Sequence, residues 1–257
     1  MMLANKNIVI IGGTSGMGLS ASQAFINSGA KIVIVGHLEE SSRKAETLLG
    51  NAARVLTLDA KDPGTAAKAI ETCIIEFGGF DGLYHIAGGS GRKMGDGPLH
   101  EMSLDGWNQT MELNLTSLML SNRAAVQQYL KDNKAGSILN MGSVLGYAPS
   151  SRHFATHAYA AAKSAIIGFT KSIAAYYAPN SIRVNVIAPG LVNTPMAQRA
   201  ANDETIQTFI KSKQPLDGGR IGDSSDLDGL AVYFMSDQSR FTTGQVIAVD
   251  GGWGVVG

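Results

Sequence analysis

Cysteine is almost absent: Cys73 stands alone in 257 residues. One thiol makes neither an internal disulfide nor a multi-cysteine metal site, and such usage suits a reducing compartment. Cys73 reads as a packing residue, and no metal site is expected. An excess of charge of one sign is also missing. Basic and acidic side chains balance at 21 each, which gives no basis for a nucleic-acid or anionic-membrane surface. No apolar run approaches the ~18–20 residues of a membrane span. The first apolar run, at 8–11, lacks the basic start and cleavage region of a signal peptide. Repeats, low-complexity tracts and compositional breaks are missing too, so nothing marks a domain boundary. The expectation is a soluble cytoplasmic protein, residues 1–257 forming one domain.

Glycine, by contrast, is plentiful at 31 residues, which suits tight turns and close approach of backbone to a ligand. Short apolar runs at 7–11, 31–35, 54–58, 82–86, 137–141, 183–187 and 245–249 alternate with helix-patterned segments at 19–27, 39–49, 64–77, 104–130 and 158–177. Near-continuous apolar strands alternating with helices predict an α/β fold. The expected form is a Rossmann-type, doubly wound parallel sheet of seven strands with helices on both faces.

The first strand runs into Gly12-Gly13-Thr14-Ser15-Gly16-Met17-Gly18, and a helix follows. Glycines at 12, 16 and 18 permit a tight turn, let backbone approach a pyrophosphate and allow close helix–strand packing. The helix N-terminus then offers free N–H groups to phosphates. Such a loop also serves ordinary βα turns, but its place after the first strand points to a dinucleotide. The second strand ends Val35-Gly36-His37 without the carboxylate that would bind ribose hydroxyls and repel a 2′-phosphate. His37, helped by Arg43 and Lys44, leans the expectation to NADP over NAD. The alternative is a surface histidine in a βα loop. Asp59, followed by Ala60, is placed to meet the adenine amino group or to cap the helix starting near Pro63.

Tyr159 and Lys163 stand four residues apart in an alanine-rich helical segment and share one helix face. A phenol titrates near pH ~10 unperturbed, and a neighbouring ammonium should draw it toward the working range. The pair is therefore a candidate acid/base unit for a carbonyl or alcohol; a half-buried tyrosine beside a solvated lysine has the same spacing. Ser143 closes the fifth strand, at the sheet edge where ligands bind, or is a simple turn serine. Asn114 lies inside a helical pattern, where asparagine needs a partner or satisfies a local kink.

With these elements in order, the chain resembles the short-chain dehydrogenase/reductase family in its compact single-domain form, from Asn7 to about Trp253. The glycine loop is similar to the family's cofactor loop, with Ile11 where a Thr usually precedes it. Ala87-Gly88 matches the second half of the Asn-Asn-Ala-Gly element, whose asparagines are here His85 and Ile86. Asn114, Ser143, Tyr159 and Lys163 match the catalytic positions, and the segment between Ser143 and Tyr159 is longer than usual. Pro189, Gly190, Val192 and Thr194 match the turn beside the nicotinamide.

The resemblance implies hydride transfer between NAD(P) and a carbonyl or secondary alcohol, with Tyr159 as acid/base. Lys163 would hold the ribose, Ser143 orient the carbonyl, and Asn114 hold a water leading from Lys163 to solvent. A small-molecule substrate and a homodimer or homotetramer are implied. Met94, Leu145, Tyr147, Phe154, Leu191 and Met196 are candidate pocket walls. Arg152, His153 and His157 are expected in exposed loop positions. The polar segment 192–214 resembles a mobile lid, and Trp253 is expected to be buried, against a second subunit. Two other functions stay open. One is reduction of a 3-oxoacyl thioester, for which Arg92 and Lys93 would supply the basic mouth; the other is a non-catalytic dinucleotide sensor on the same fold.

Overall fold

Chain order interleaves strands β1 (Asn7–Ile11), β2 (Lys31–Gly36), β3 (Ala53–Thr57), β4 (Gly82–His85), β5 (Gly136–Met141), β6 (Ile182–Pro189) and β7 (Val246–Val249) with helices. In the computed structural model, which describes residues 1–150 and 152–256, these strands form one seven-stranded sheet in the order β3-β2-β1-β4-β5-β6-β7. Ser151, inside the 143–163 stretch, and Gly257 lie outside the described residues. Every pairing is parallel. The expected α/β fold and doubly wound sheet are observed.

The apolar runs explain the architecture. In β1, Ile8 and Ile10 face one core while Val9 and Ile11 face the other, as the two-residue period of a strand requires. Burying each such side chain contributes about 1.5–3 kcal/mol. Helices α1 (Gly16–Asn27), α2 (Glu39–Leu49) and α9 (Asp228–Met235) cover the first face with Phe25, Ala45 and Phe234. Helices α3 (Thr65–Phe77), α5 (Ser117–Lys131) and α6 (His157–Tyr177) cover the second with Ile70, Tyr129 and Ala174. Cys73 is fully buried there, and burial pushes its thiol up to about 12, so it packs and does not react.

Two segments differ from expectation. The 104–130 pattern is not one helix: α4 (Leu104–Met111) passes through a π-helical turn at Glu112–Thr116 into α5. The expected lid contains the short α7 (Gln198–Ala201) and α8 (Glu204–Lys213), which bury Ala200, Ile206 and Ile210 against Val144 and Trp253. Trp253 is 2% exposed within its own chain and donates its indole N–H to the Ala148 carbonyl at 2.9 Å. Its burial therefore needs no second subunit. Among the described residues, no helix is long and apolar enough to cross a membrane.

The strand order reverses between β1 and β4, and the carboxyl ends of β1, β4, β5 and β6 all open onto the same edge. Ligands of open parallel sheets bind at such a switch point.

Candidate active site

Leaving β1, the chain turns at Gly12, with φ 93°, where an added Cβ would stand 2.7 Å from the Ala87 amide. At Gly18 the constraint is tighter, since a Cβ there would lie 1.9 Å from the Gly12 carbonyl oxygen. These glycines let the turn fold on itself and start α1. Ser15, the residue preceding α1, makes no side-chain capping bond, so the first N–H groups of the helix face the cavity uncapped.

That cavity, about 490 Å³, is bounded by Gly12, Thr14, Ser15, Gly16, Met17 and Gly18 on one side. Its other walls bring together His37, Asp59, Ala60, Ala87, Gly88 and Thr194. A long glycine-walled trough with unsatisfied amides at one helix end fits a dinucleotide pyrophosphate and its flanking ribose. Gly36, Leu38, Ser41 and Lys61 also line it and were not picked out from the sequence.

At the adenosine end, Gly36 is sterically enforced, because a Cβ would meet the Thr14 hydroxyl at 2.2 Å. No acidic side chain fits there. His37 is exposed, with Nδ1 3.9 Å from the Asp59 carboxylate, and Lys61 approaches that carboxylate at 3.6 Å. Asp59 accepts the Lys61 amide at 2.9 Å and does not cap α3, whose preceding residue is Gly64. Arg43 and Lys44 are turned back to Glu39 and Glu40 at 3.2 and 2.6 Å, away from the role expected of them.

A second cavity, about 150 Å³, adjoins the first, and Met17 and Met196 line both. Ser143, Tyr159, Pro189, Gly190 and Val192 line this one. Leu145, Phe154, Leu191 and Met196 form walls as expected; Met94 and Tyr147 do not, and Tyr147 is 46% exposed. Arg92, expected at the mouth, lines the cavity while Lys93 does not, and Met17, Thr156, Arg199 and Trp253 join without having been expected as walls. The Arg and Trp contributions arise from long-range packing that local pattern does not encode.

Tyr159 and Lys163 stand on successive turns of α6; Tyr159 lines the second cavity, whereas Lys163 is buried behind it and lines neither cavity. The Lys163 Nζ lies 5.5 Å from the Tyr159 ring centre and donates to the Met141 carbonyl at 2.8 Å. Burial pushes the Tyr159 phenol up, opposed by a hydrogen bond with the Ser143 hydroxyl. Burial also pulls the Lys163 ammonium down to about 8. The expected lowering of the phenol by Lys163 is therefore outweighed by desolvation, and the ammonium is directed at the Met141 carbonyl.

α6 has no side-chain cap of its own at Thr156. Instead the buried Asp96 carboxylate accepts the Ala158 and Tyr159 amides at 3.0 and 2.9 Å. A capping acid normally lies next to its helix in sequence; this one comes from the loop after β4, so the sequence carries no local sign of it.

Asn114, fully buried in the π-helical turn, donates to the Gly89 carbonyl and the Thr110 carbonyl, both at 2.9 Å, and accepts the Gly89 amide at 3.0 Å. Its amide is thus committed to protein partners. It pins the Gly88–Gly89 backbone, which has room only for glycine at 88, where a Cβ would sit 2.7 Å from Asn114 Oδ1. His85, in the place of the family's asparagine, is buried and contacts Ser121 at 2.7 Å and Ser117 at 3.4 Å. Burial first, and then Lys163, pulls its imidazole down to about 3, so it is neutral. It ties β4 to α5.

A doubly wound parallel sheet with a glycine-walled trough at its switch point, beside a cavity lined by Ser143 and Tyr159, is the frame in which the comparisons with known proteins fall. The model of the family described as "Enoyl-(Acyl carrier protein) reductase" matches residues 12–254, and the chain belongs to the short-chain dehydrogenase/reductase family. It is 36% identical over 250 residues to a 3-alpha-(or 20-beta)-hydroxysteroid dehydrogenase of Mycobacterium bovis, covering 97% of this chain and 90% of that protein. It is 31% identical over 252 residues to a 2,5-dichloro-2,5-cyclohexadiene-1,4-diol dehydrogenase of Sphingobium indicum, covering 98% of both. The solved structure titled gox2181 superposes with a TM-score of 0.89 at 24% identity, over 98% of this chain and 96% of that one, and shares the fold. The protein is an NAD(P)-dependent oxidoreductase that acts on a small-molecule carbonyl or alcohol.

Proposed function

We propose that Tyr159 is the proton donor in carbonyl reduction and the acceptor in alcohol oxidation, with NADP as the preferred cofactor. The observation that carries this is that Tyr159 and Ser143 line one cavity, which adjoins the glycine-walled trough. When bound, the nicotinamide supplies or accepts the hydride. Hydride addition to a carbonyl leaves an alkoxide, which must be stabilised and protonated as it forms.

Tyr159, raised by burial, is protonated at neutral pH and so is a donor ready for that oxygen. Ser143, beside it, hydrogen-bonds the same oxygen and orients the carbonyl. Lys163, cationic below about 8, holds the ribose side and stabilises the phenolate left after proton transfer. Asn114 acts through Gly89 as a positioning residue, holding the backbone beneath the cofactor; it replaces the water-holding role that the resemblance implied for its side chain. Thr194 in the trough and Pro189, Gly190 and Val192 in the adjoining cavity would border the nicotinamide where the two meet.

NADP is supported by the enforced Gly36, which leaves no carboxylate at the end of β2, and by His37 and Lys61 at that end of the trough. The single sheet, whose strands come from both ends of the chain, supports one domain. The edge strand β7, with Ile247 exposed, supports a homo-oligomer.

The test is oxidation of NADPH, followed by its absorbance, against a panel of ketones. Removing one such hydrogen-bond donor costs about 2.7–4 kcal/mol of barrier. Ser143→Ala is therefore expected to slow the best substrate about a hundredfold or more at unchanged cofactor affinity. A Ser143→Ala rate within threefold of wild type would remove Ser143 from the mechanism.

A further inference from the structure

The walls of the cavity that holds Ser143 and Tyr159 are apolar over most of their extent, with Val144, Leu145, Phe154, Leu191 and Trp253 among them. Two guanidinium groups interrupt that surface. Arg92 comes from the loop after β4 and Arg199 from α7, so elements more than a hundred residues apart in sequence bring the pair together. Both aim at one acceptor: Arg92 and Arg199 each donate an Nη2 hydrogen to the His153 carbonyl, at 2.9 and 3.4 Å. His153 sits at φ 67°, outside the region most residues adopt.

Neither arginine forms an ion pair within 4.0 Å among the described residues, although eleven such pairs occur elsewhere in the chain. Asp96 is the acid whose charge acts on Arg92, and its two carboxylate oxygens accept the amides of α6 instead of the guanidinium. Burial, and then the charge of Arg199, pulls the Arg92 guanidinium down from its ordinary value. Two like charges thus line one small cavity, and neither holds a carboxylate directly among the described residues. Each guanidinium has five N–H donors, and only one bond from each is used toward His153.

We propose that Arg92 and Arg199 are the anion-recognising end of the substrate pocket, and that the substrate is a small oxo acid or hydroxy acid whose carboxylate they hold. A planar guanidinium fork matches a carboxylate with two parallel hydrogen bonds. The anion supplies the direct hydrogen-bonded partner that neither arginine has in a carboxylate of the described residues, and the apolar walls take the carbon skeleton. The cavity of about 150 Å³ suits a compact acid and not a long acyl chain. This rests on the reading of Ser143 and Tyr159 as the reacting end, and it adds the chemical class of what reacts there.

The matched probes are 4-oxocyclohexanecarboxylate and its uncharged methyl ester. Their affinities are measured by calorimetry on the enzyme–NADP⁺ complex, in which the ketone binds without being reduced. The acid is expected to bind at least about tenfold more tightly than the ester, a difference of about 1.4 kcal/mol. Arg92→Gln/Arg199→Gln should abolish that preference while ester affinity stays unchanged. Arg199→Gln alone, at an exposed position that leaves folding intact, should reduce the preference by about half on the logarithmic scale. Equal affinities, no measurable binding of the acid, or a preference that survives in the double variant would overturn the proposal. Acetoacetyl coenzyme A separates the other source of negative charge: tighter binding of this thioester than of the acid, lost in the double variant, would also overturn it. Preferential binding of the acid without reduction of any ketone by NADPH would instead overturn the acid/base reading and leave the anion site standing.

Discussion

Asp96 and Tyr159 are joined by a hydrogen bond of 2.9 Å from the Tyr159 amide to the Asp96 carboxylate, across 63 positions of sequence. The same carboxylate takes the Ala158 amide, so the first turn of α6 is fixed by a loop that also carries Arg92. The helix that presents Tyr159 and Lys163 is thereby set in place from the substrate side of the site. A carboxylate at a helix N-terminus also meets the positive end of the helix dipole.

Asp96→Ala leaves two helix amides without partners in a buried place. The expected loss is about 1–2 kcal/mol of stability, the scale of a lost N-cap, together with a lower kcat as Tyr159 loses its fixed position. Asp96→Asn keeps one acceptor oxygen and should recover much of both. Thermal unfolding and steady-state kinetics on the two variants check this; a lower melting temperature with unchanged kcat would leave Asp96 a structural residue only.

Lys163 sets a pH limit. Its ammonium, pulled down by burial to about 8, is cationic at neutral pH and loses its proton as pH rises through that value. The phenolate formed at Tyr159 then loses its counter-charge, so carbonyl reduction should slow above about pH 8. His85 takes no part in this limb, since burial beside Lys163 keeps it neutral down to about 3. A reduction rate that stays level to pH ~10, the unperturbed range of lysine, would contradict the lowered value.

The proposed preference for NADP rests on His37 and on the steric exclusion of any side chain at Gly36. His37→Asp places a carboxylate where a 2′-phosphate would lie and should shift the NADPH-over-NADH preference, as kcat/KM, at least tenfold toward NADH. A ratio unmoved by that substitution would show that position 37 does not read the phosphate.

The sheet was legible because strands buried on both faces are apolar at most positions; β1 and β2 are near-continuous runs that a single sequence displays. Tyr159 and Lys163 were legible because both lie on one helix, where spacing maps directly onto geometry. What stayed hidden depends on contacts between distant segments. Asp96 caps a helix from across the site, and Arg199 meets Arg92 only when α7 folds over the cavity. Trp253 finds Phe154 and Phe209 in its own chain, a partner choice that its position near the end of the sequence does not reveal. The π-helical turn at Asn114 was hidden for another reason: one extra residue per turn barely disturbs an apolar pattern. The expected tuning of the tyrosine by the lysine failed on desolvation, which depends on burial and cannot be read from spacing.

The most direct measurement is single-turnover reduction of a ketone by Tyr159→Phe, with NADPH binding titrated on the same sample. The phenyl ring keeps the packing and removes only the transferable proton. Unchanged NADPH affinity with reduction slowed by about two to three orders of magnitude, the scale of a lost acid or donor, is the predicted result. Reduction at a rate close to that of the unaltered protein would contradict the assignment of the proton to Tyr159.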